Sequence, residues 1–296
     1  MMQPPVENVS YAESHSFAGD LVELIKFRIA VMVTLSTLVG YVLGASPVFF
    51  DLIHLLLATF LTAAGAGALN QYVEREADGR MHRTADRPLP AGRLSAELAL
   101  RIGLLLTVVG IVYLGVAING LTALFGALTT SIYILIYTPL KKRSPHNTAV
   151  GAISGALPPV GGWTAATGSV GGETMALFAI LFVWQFPHFF AIAWMYREDY
   201  ARGGYRMLPI EDPDGDRTAH QMILYSLVLL SCSLMPALMG LSGPIYFVVA
   251  VLLGLVVLIK SLAFAKYRTD AHARGVLRAT LVYLPVLWAV MVWDKM

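Results

Sequence analysis

The stretch Leu69-Asn70-Gln71-Tyr72-Val73-Glu74-Arg75-Glu76-Ala77-Asp78-Gly79-Arg80-Met81-His82-Arg83-Thr84-Ala85-Asp86-Arg87-Pro88-Leu89-Pro90 is where an apolar run turns polar without a helix breaker. Continued as a helix, it puts Asn70, Glu74 and Asp78 on one face, since they recur at every fourth residue. Three such positions fan over roughly 80° and climb roughly 12 Å. A row of oxygen donors followed by Arg83 and Arg87 suits a hard cation and the anion that it bridges, and a diphosphate fits that description. The following Arg87-Pro88-Leu89-Pro90-Ala91-Gly92-Arg93 is read as a shaped loop, because two prolines push their predecessors out of helical geometry.

Around this stretch the chain is a membrane protein. It is 57% hydrophobic and 14% charged, its mean hydropathy is +0.66, and ordinary soluble domains carry about 25% charged residues. Runs of membrane-spanning length fall at 28–44, 52–73, 97–118, 121–139, 148–168, 174–195, 218–240, 244–260 and 276–293. The expected fold is all-α: a polytopic protein of nine transmembrane helices, arranged as two four-helix sets plus one. Residues 1–20 are expected to form a disordered cytoplasmic tail, and 21–296 a single transmembrane domain. The segment before Phe17 has Glu7 and Glu13, no arginine and no apolar core, unlike a secretory or transit peptide.

Net charge is only +2, but its placement is one-sided. If nine spans are right, every Lys and Arg except Lys295 falls on one side. The positive-inside tendency makes that side cytoplasmic, with the N-terminus, and places the C-terminus outside. The expected setting is a bacterial cytoplasmic (inner) membrane, with any chemistry on the cytoplasmic face and no nucleic-acid partner. Cys232 is the only cysteine and lies in an apolar run, which excludes disulfides and thiolate metal sites.

The sixth span ends in Tyr196-Arg197-Glu198-Asp199-Tyr200-Ala201-Arg202-Gly203-Gly204-Tyr205-Arg206, a second acidic and basic helix end that echoes the first. Asn70, Glu74, Asp78 and Asp199 are oxygen donors without a Cys and His cluster, which suits magnesium better than zinc. Arg83, Arg87, Arg28, Lys141 and Arg202 are the candidate diphosphate-binding cations. Lys26 and Arg28 at the start of the first span, and the Lys141-Lys142-Arg143 cluster, have topogenic readings as well. His188 lies well inside a span, so it is either functional or hydrogen-bonded to a neighbouring helix. The acidic run from Glu211 to Asp216 fails the EF-hand pattern and reads as a solvated loop. In a membrane the natural diphosphate is that of an isoprenoid. Its loss from an allylic carbon leaves a cation that Tyr72, Tyr137, Tyr196 or Phe189 can stabilise.

With these motifs the chain resembles the UbiA superfamily of intramembrane prenyltransferases, over roughly residues 20 to 290. The first aspartate-rich motif of that superfamily corresponds to Asn70-Gln71-x-x-Glu74-x-x-x-Asp78. The glutamate variant, followed by Met81-x-Arg83-Thr84-x-x-Arg87-Pro88-Leu89-Pro90-x-Gly92-Arg93, is similar to its heme branch. Further matches are Tyr137-Thr138 with Lys141, Gly155-Ala156-x-Pro158-Pro159-x-x-Gly162-Trp163, Trp184-Gln185-x-Pro187-His188-Phe189, and Asp199-Tyr200 leading to Met207-Leu208-Pro209. The second motif keeps Asp199 but has Gly203 in place of its second carboxylate, which leaves a second metal in doubt.

The resemblance implies alkylation of a heme b vinyl group by farnesyl diphosphate, with water addition giving heme O. It implies Mg2+ at Asn70, Glu74, Asp78 and Asp199, and a heme or prenyl pocket with His188, Tyr137, Tyr196 and Trp184. A heme-copper oxidase assembly route or heme A synthase is the implied partner. The rival readings are a UbiA-type enzyme acting on a quinone precursor or other aromatic ring, and a secondary transporter.

Overall fold

The structure is a computed structural model that describes residues 16–296, so most of the expected tail, 1–15, lies outside the described residues. Residues 17–20 of that tail are ordered instead: Phe17–Leu24 is a helix whose Ser16 hydroxyl accepts from the Gly19 amide. Leu24 is fully buried and packs with Ala68, Leu89 and Leu94, and that contact is the reason the segment is held.

Among the described residues nine long helices follow: α1 (Phe27–Gly44), α2 (Phe49–Asp78), α3 (Ala96–Ala117), α4 (Gly120–Leu140), α5 (Asn147–Thr167), α6 (Gly172–Met195), α7 (Asp216–Leu238), α8 (Pro244–Tyr267) and α9 (Asp270–Trp293). Eight are long and apolar enough to cross a membrane. The remaining one, α5, has the length but carries Gly151, Gly155, Pro158, Pro159, Gly161 and Gly162 where the others carry Leu, Val and Ile. Exposed Leu105, Val116 and Leu135 on α3 and α4 face outward, as lipid-facing positions require. Among the described residues, extended pairing is limited to one bridge between Ser242 and Lys295.

Each helix packs on its successor and α9 meets α1, so the nine close into a ring. Contacts of α1 with α5 and of α6 with α9 divide it. The odd helix beside the two four-helix sets is the central α5: α6 to α9 close on themselves, and α5 closes the set of α1 to α4. The glycines of α5 make this possible. A β-carbon on Gly162 would stand 1.9 Å from the Thr37 carbonyl oxygen, and one on Gly40 would stand 1.9 Å from that of Pro159. Backbones this close are the signature of small-residue helix packing in membranes.

Between the helices, several polar side chains pair with one another. Thr122 and Thr164 hydroxyls lie 3.1 Å apart and those of Ser226 and Ser261 2.9 Å apart. The acidic loop is not wholly solvated: Asp212 is buried and its Oδ2 accepts from the Thr218 amide and hydroxyl at 2.7 and 2.8 Å, capping the first turn of α7.

Candidate functional site

Helix α2 continues through the polar stretch to Asp78, which brings Asn70, Glu74 and Asp78 onto one buried face as the spacing predicts. Each meets a cation from a different segment. Lys26 Nζ donates to Asn70 Oδ1, Lys141 Nζ to Glu74 Oε1 at 2.7 Å, and Arg87 Nη1 to Asp78 Oδ2 at 2.7 Å. Three basic groups thus face two carboxylates and an amide, so basic groups outnumber acidic ones. Such a site accepts an anion.

Local structure explains each partner. The helix is interrupted between Leu24 and Phe27, with Lys26 in the left-handed region at φ 51°. Gln71 Nε2 donates to the carbonyls of Glu23 and Leu24 at 2.7 and 3.3 Å, closing the end of the short helix. Gly67 leaves room for the break, since a β-carbon there would meet the Ile25 carbonyl oxygen at 2.7 Å. Burial, and then the Arg87 charge, pushes Lys26 down to about 7. The end of α4 is a π-helical turn, Ile132–Tyr137, of the kind frequent at functional sites. After it Thr138 accepts from Asn70 Nδ2 at 3.0 Å, and Lys141 reaches Glu74 with its ammonium 4.7 Å from the Tyr137 ring. Burial alone would lower the Lys141 ammonium, but the Glu74 carboxylate outweighs it and holds the group well above its ordinary range. The loop after α2 folds back, with the Thr84 hydroxyl donating to the Asp78 carbonyl at 2.9 Å, and this delivers Arg87.

The two acidic helix ends do meet, but Asp199 plays a different part from the other three. Both of its oxygens are engaged: Oδ1 accepts from the His82 amide at 2.9 Å and from Arg202, and Oδ2 accepts from the Arg83 amide at 3.2 Å. Burial would raise Asp199, yet Arg202 and these two amides prevail and hold it below the usual carboxylate range. Asp199 therefore meets the first acidic row through this loop, while Asn70, Glu74 and Asp78 face the three cations. Among the described residues no three of His, Cys, Asp and Glu form a group that would hold a metal by themselves.

Arg83 lies over the Tyr196 and Tyr200 rings, 5.1 and 5.6 Å from their centroids. Arg28 is exposed at the rim, and Lys26 stands where Arg28 was expected. His188 and Trp184 belong to the α6–α9 seam: His188 Nδ1 lies 3.0 Å from the Thr280 hydroxyl, and Trp184 Nε1 donates to the Thr280 carbonyl at 2.9 Å. Their rings stack at 4.6 Å. Among the candidate diphosphate-binding cations the sequence reading named Arg28 and not Lys26, and it assigned Gln71 and Thr138 no role beyond their motifs. Lys26 did carry a signal, a cation at a helix start where the dipole disfavours it.

A ring of membrane helices with a basic and acidic site at one end defines a class. The UbiA prenyltransferase family profile matches residues 33–287, and the chain belongs to that family. Within it the chain is similar to protoheme IX farnesyltransferases: 47% identical to that of Solibacter usitatus, over 93% of this chain and 98% of the relative. It is 46% identical to that of Salinibacter ruber, over 93% and 98%. The fold is that of a digeranylgeranylglyceryl phosphate synthase, with TM-score 0.79 at 15% identity over 94% of this chain and 98% of the other. A UbiA homologue from Archaeoglobus fulgidus bound to GPP and Mg2+ superposes with TM-score 0.64 at 15% identity, over 92% and 99%.

Proposed function

We propose that this protein transfers the farnesyl group of farnesyl diphosphate to a vinyl group of heme b, with water addition, releasing heme O, diphosphate and a proton. The observation that carries this is the row of Asn70, Glu74 and Asp78, each held by its own basic side chain in a cluster where basic groups outnumber acidic ones. The names of the relatives at 46 and 47% identity support the choice of donor and acceptor.

The donor set suits Mg2+, which takes one or two carboxylates and completes its shell with water and substrate phosphates. Asn70, Glu74 and Asp78 would hold it. When bound, magnesium would neutralise charge on the diphosphate and make it a better leaving group. Lys26, Lys141 and Arg87 would then turn from these oxygens to those of the diphosphate. Asp199 holds the amides of His82 and Arg83, and so fixes the loop that presents Arg83 and Arg87. The allylic carbon–oxygen bond breaks, the heme vinyl group supplies the electron pair for the new carbon–carbon bond, and water adds to the resulting cation. Tyr137 and Tyr196 offer aromatic faces to the allylic cation. Trp184 and His188 line the acceptor side, with His188 oriented by Thr280.

In this reading the site faces the cytoplasm of a bacterial inner membrane, and a heme A synthase or heme-copper oxidase assembly consumes the product. The test is to incubate the purified protein with heme b, farnesyl diphosphate and magnesium and to search by mass spectrometry for farnesylated heme. Unchanged heme, or transfer to an aromatic acceptor in its place, overturns the proposal.

A further inference from the structure

Tyr205 is only 3% exposed and packs against Ala77, Met81, Ala193 and Met207. After the short helix Arg197–Arg202 the chain turns back through Gly203 and Gly204, the latter at φ 75°, a conformation that favours glycine. The Tyr205 amide donates to the Tyr200 carbonyl at 2.9 Å. The next residue joins this turn to the segment after α4: the Arg206 amide donates to the Lys141 carbonyl at 2.7 Å, and Asn147 Nδ2 donates to the Arg206 carbonyl at 2.9 Å. The Lys141 ammonium consequently lies 5.6 Å from the centre of the Tyr205 ring.

The hydroxyl lies close enough to the Glu74 carboxylate to interact with it as a hydrogen-bond donor, but the pair stands off the geometry of a formed bond, and no other group among the described residues bonds it. A buried hydroxyl so placed is poorly compensated for its burial. Burial, and then Glu74, push the phenol above its ordinary range, so it keeps its proton and stands as a donor. Packing alone would be served by phenylalanine. What the oxygen lacks is an acceptor in bonding geometry, and the cations around it select an anionic one. Lys26, Lys141 and Arg87 each already bond an oxygen of the α2 row, whereas Tyr205 only neighbours that of Glu74.

We propose that the Tyr205 hydroxyl donates a hydrogen bond to an oxygen of the bound diphosphate, and so seats the leaving group beside Glu74 and Lys141. This rests on the diphosphate reading given above, and it adds to the site a residue outside both acidic motifs.

The test compares wild type with Tyr205→Phe, using inorganic pyrophosphate with magnesium as the probe in titration calorimetry. The expected result is about tenfold weaker pyrophosphate binding, the scale of one hydrogen bond to a charged group. The KM for farnesyl diphosphate rises in parallel, while the KM for heme b stays unchanged and the thermal midpoint of the unliganded protein does not fall. Equal pyrophosphate affinity in a folded Tyr205→Phe protein overturns the assignment, and so does equal loss of both substrates. If Tyr205→Phe does not fold, 3-fluorotyrosine placed at position 205 of the full chain gives the answer by fluorine NMR. Its resonance shifts on adding magnesium pyrophosphate, and an unmoved resonance in protein shown to bind the probe overturns the assignment. Wild-type protein that binds no pyrophosphate sinks the diphosphate reading itself.

Discussion

Lys141 Nζ lies 2.7 Å from Glu74 Oε1, and this bond joins the end of α4 to the polar end of α2 across 67 positions of sequence. Both side chains are largely buried, 12 and 7% exposed, so neither charge has water to fall back on. Removing one partner of such a pair typically costs about 3–5 kcal/mol. Lys141→Met should lower the thermal midpoint in detergent accordingly. Lys141→Met combined with Glu74→Gln should recover much of that stability and none of the farnesyl transfer. A double variant that regained activity would remove both residues from the chemistry.

Lys26 and Arg28 are two positions apart and differ in surroundings: one bonds Asn70 inside the site, the other is exposed. Lys26→Met is expected to raise the KM for farnesyl diphosphate about tenfold, on the scale of one charge-assisted hydrogen bond. Arg28→Gln should leave it within about twofold, as for most exposed charges. Steady-state kinetics of the two variants side by side decide the matter, and the reverse ranking would restore Arg28 to the site.

Asp199 has a folded-state pKa below its unfolded value, so the stability that it lends the loop is fully present above about pH 4 and fades as pH falls towards the folded value. Hydrogen exchange at the His82 and Arg83 amides should therefore show an extra loss of protection across that acid window. Asp199→Asn should abolish the step, because its amide does not titrate there. A step of the same size in both proteins would assign the acid sensitivity to another group.

Gly162→Ala would place a β-carbon 1.9 Å from the Thr37 carbonyl oxygen, and α1 would have to move away from α5. Overpacking of ordinary cores costs about 1–3 kcal/mol. A clash with backbone should reach the top of that range or exceed it, read as a large drop in thermal midpoint or failure to accumulate. Gly120→Ala, with nothing within 4 Å of its added carbon, is the matched control and should melt like wild type.

Much of this architecture was legible in the chain itself. Long apolar runs demand helices, because a backbone in lipid must satisfy its own hydrogen bonds. The spacing of Asn70, Glu74 and Asp78 commits them to one face once the helix is granted. Pro88 and Pro90 likewise require the shaped loop that carries Arg87.

Other features depended on where distant segments meet. The choice of Lys26 over Arg28 follows from a left-handed residue at a helix break that Gly67 admits. Asp199 holds a loop because the amides of His82 and Arg83, more than a hundred positions earlier, arrive at its two oxygens. Tyr205 enters the site because two glycines reverse the chain over the face of α2, and α5 is central because its glycines fit the backbone of α1. Helical period and hydropathy act over a few turns, and so one strand of sequence determined the elements and the acidic row. Which cation, amide or hydroxyl each side chain meets is a matter of long-range packing, and only the tertiary structure decided it.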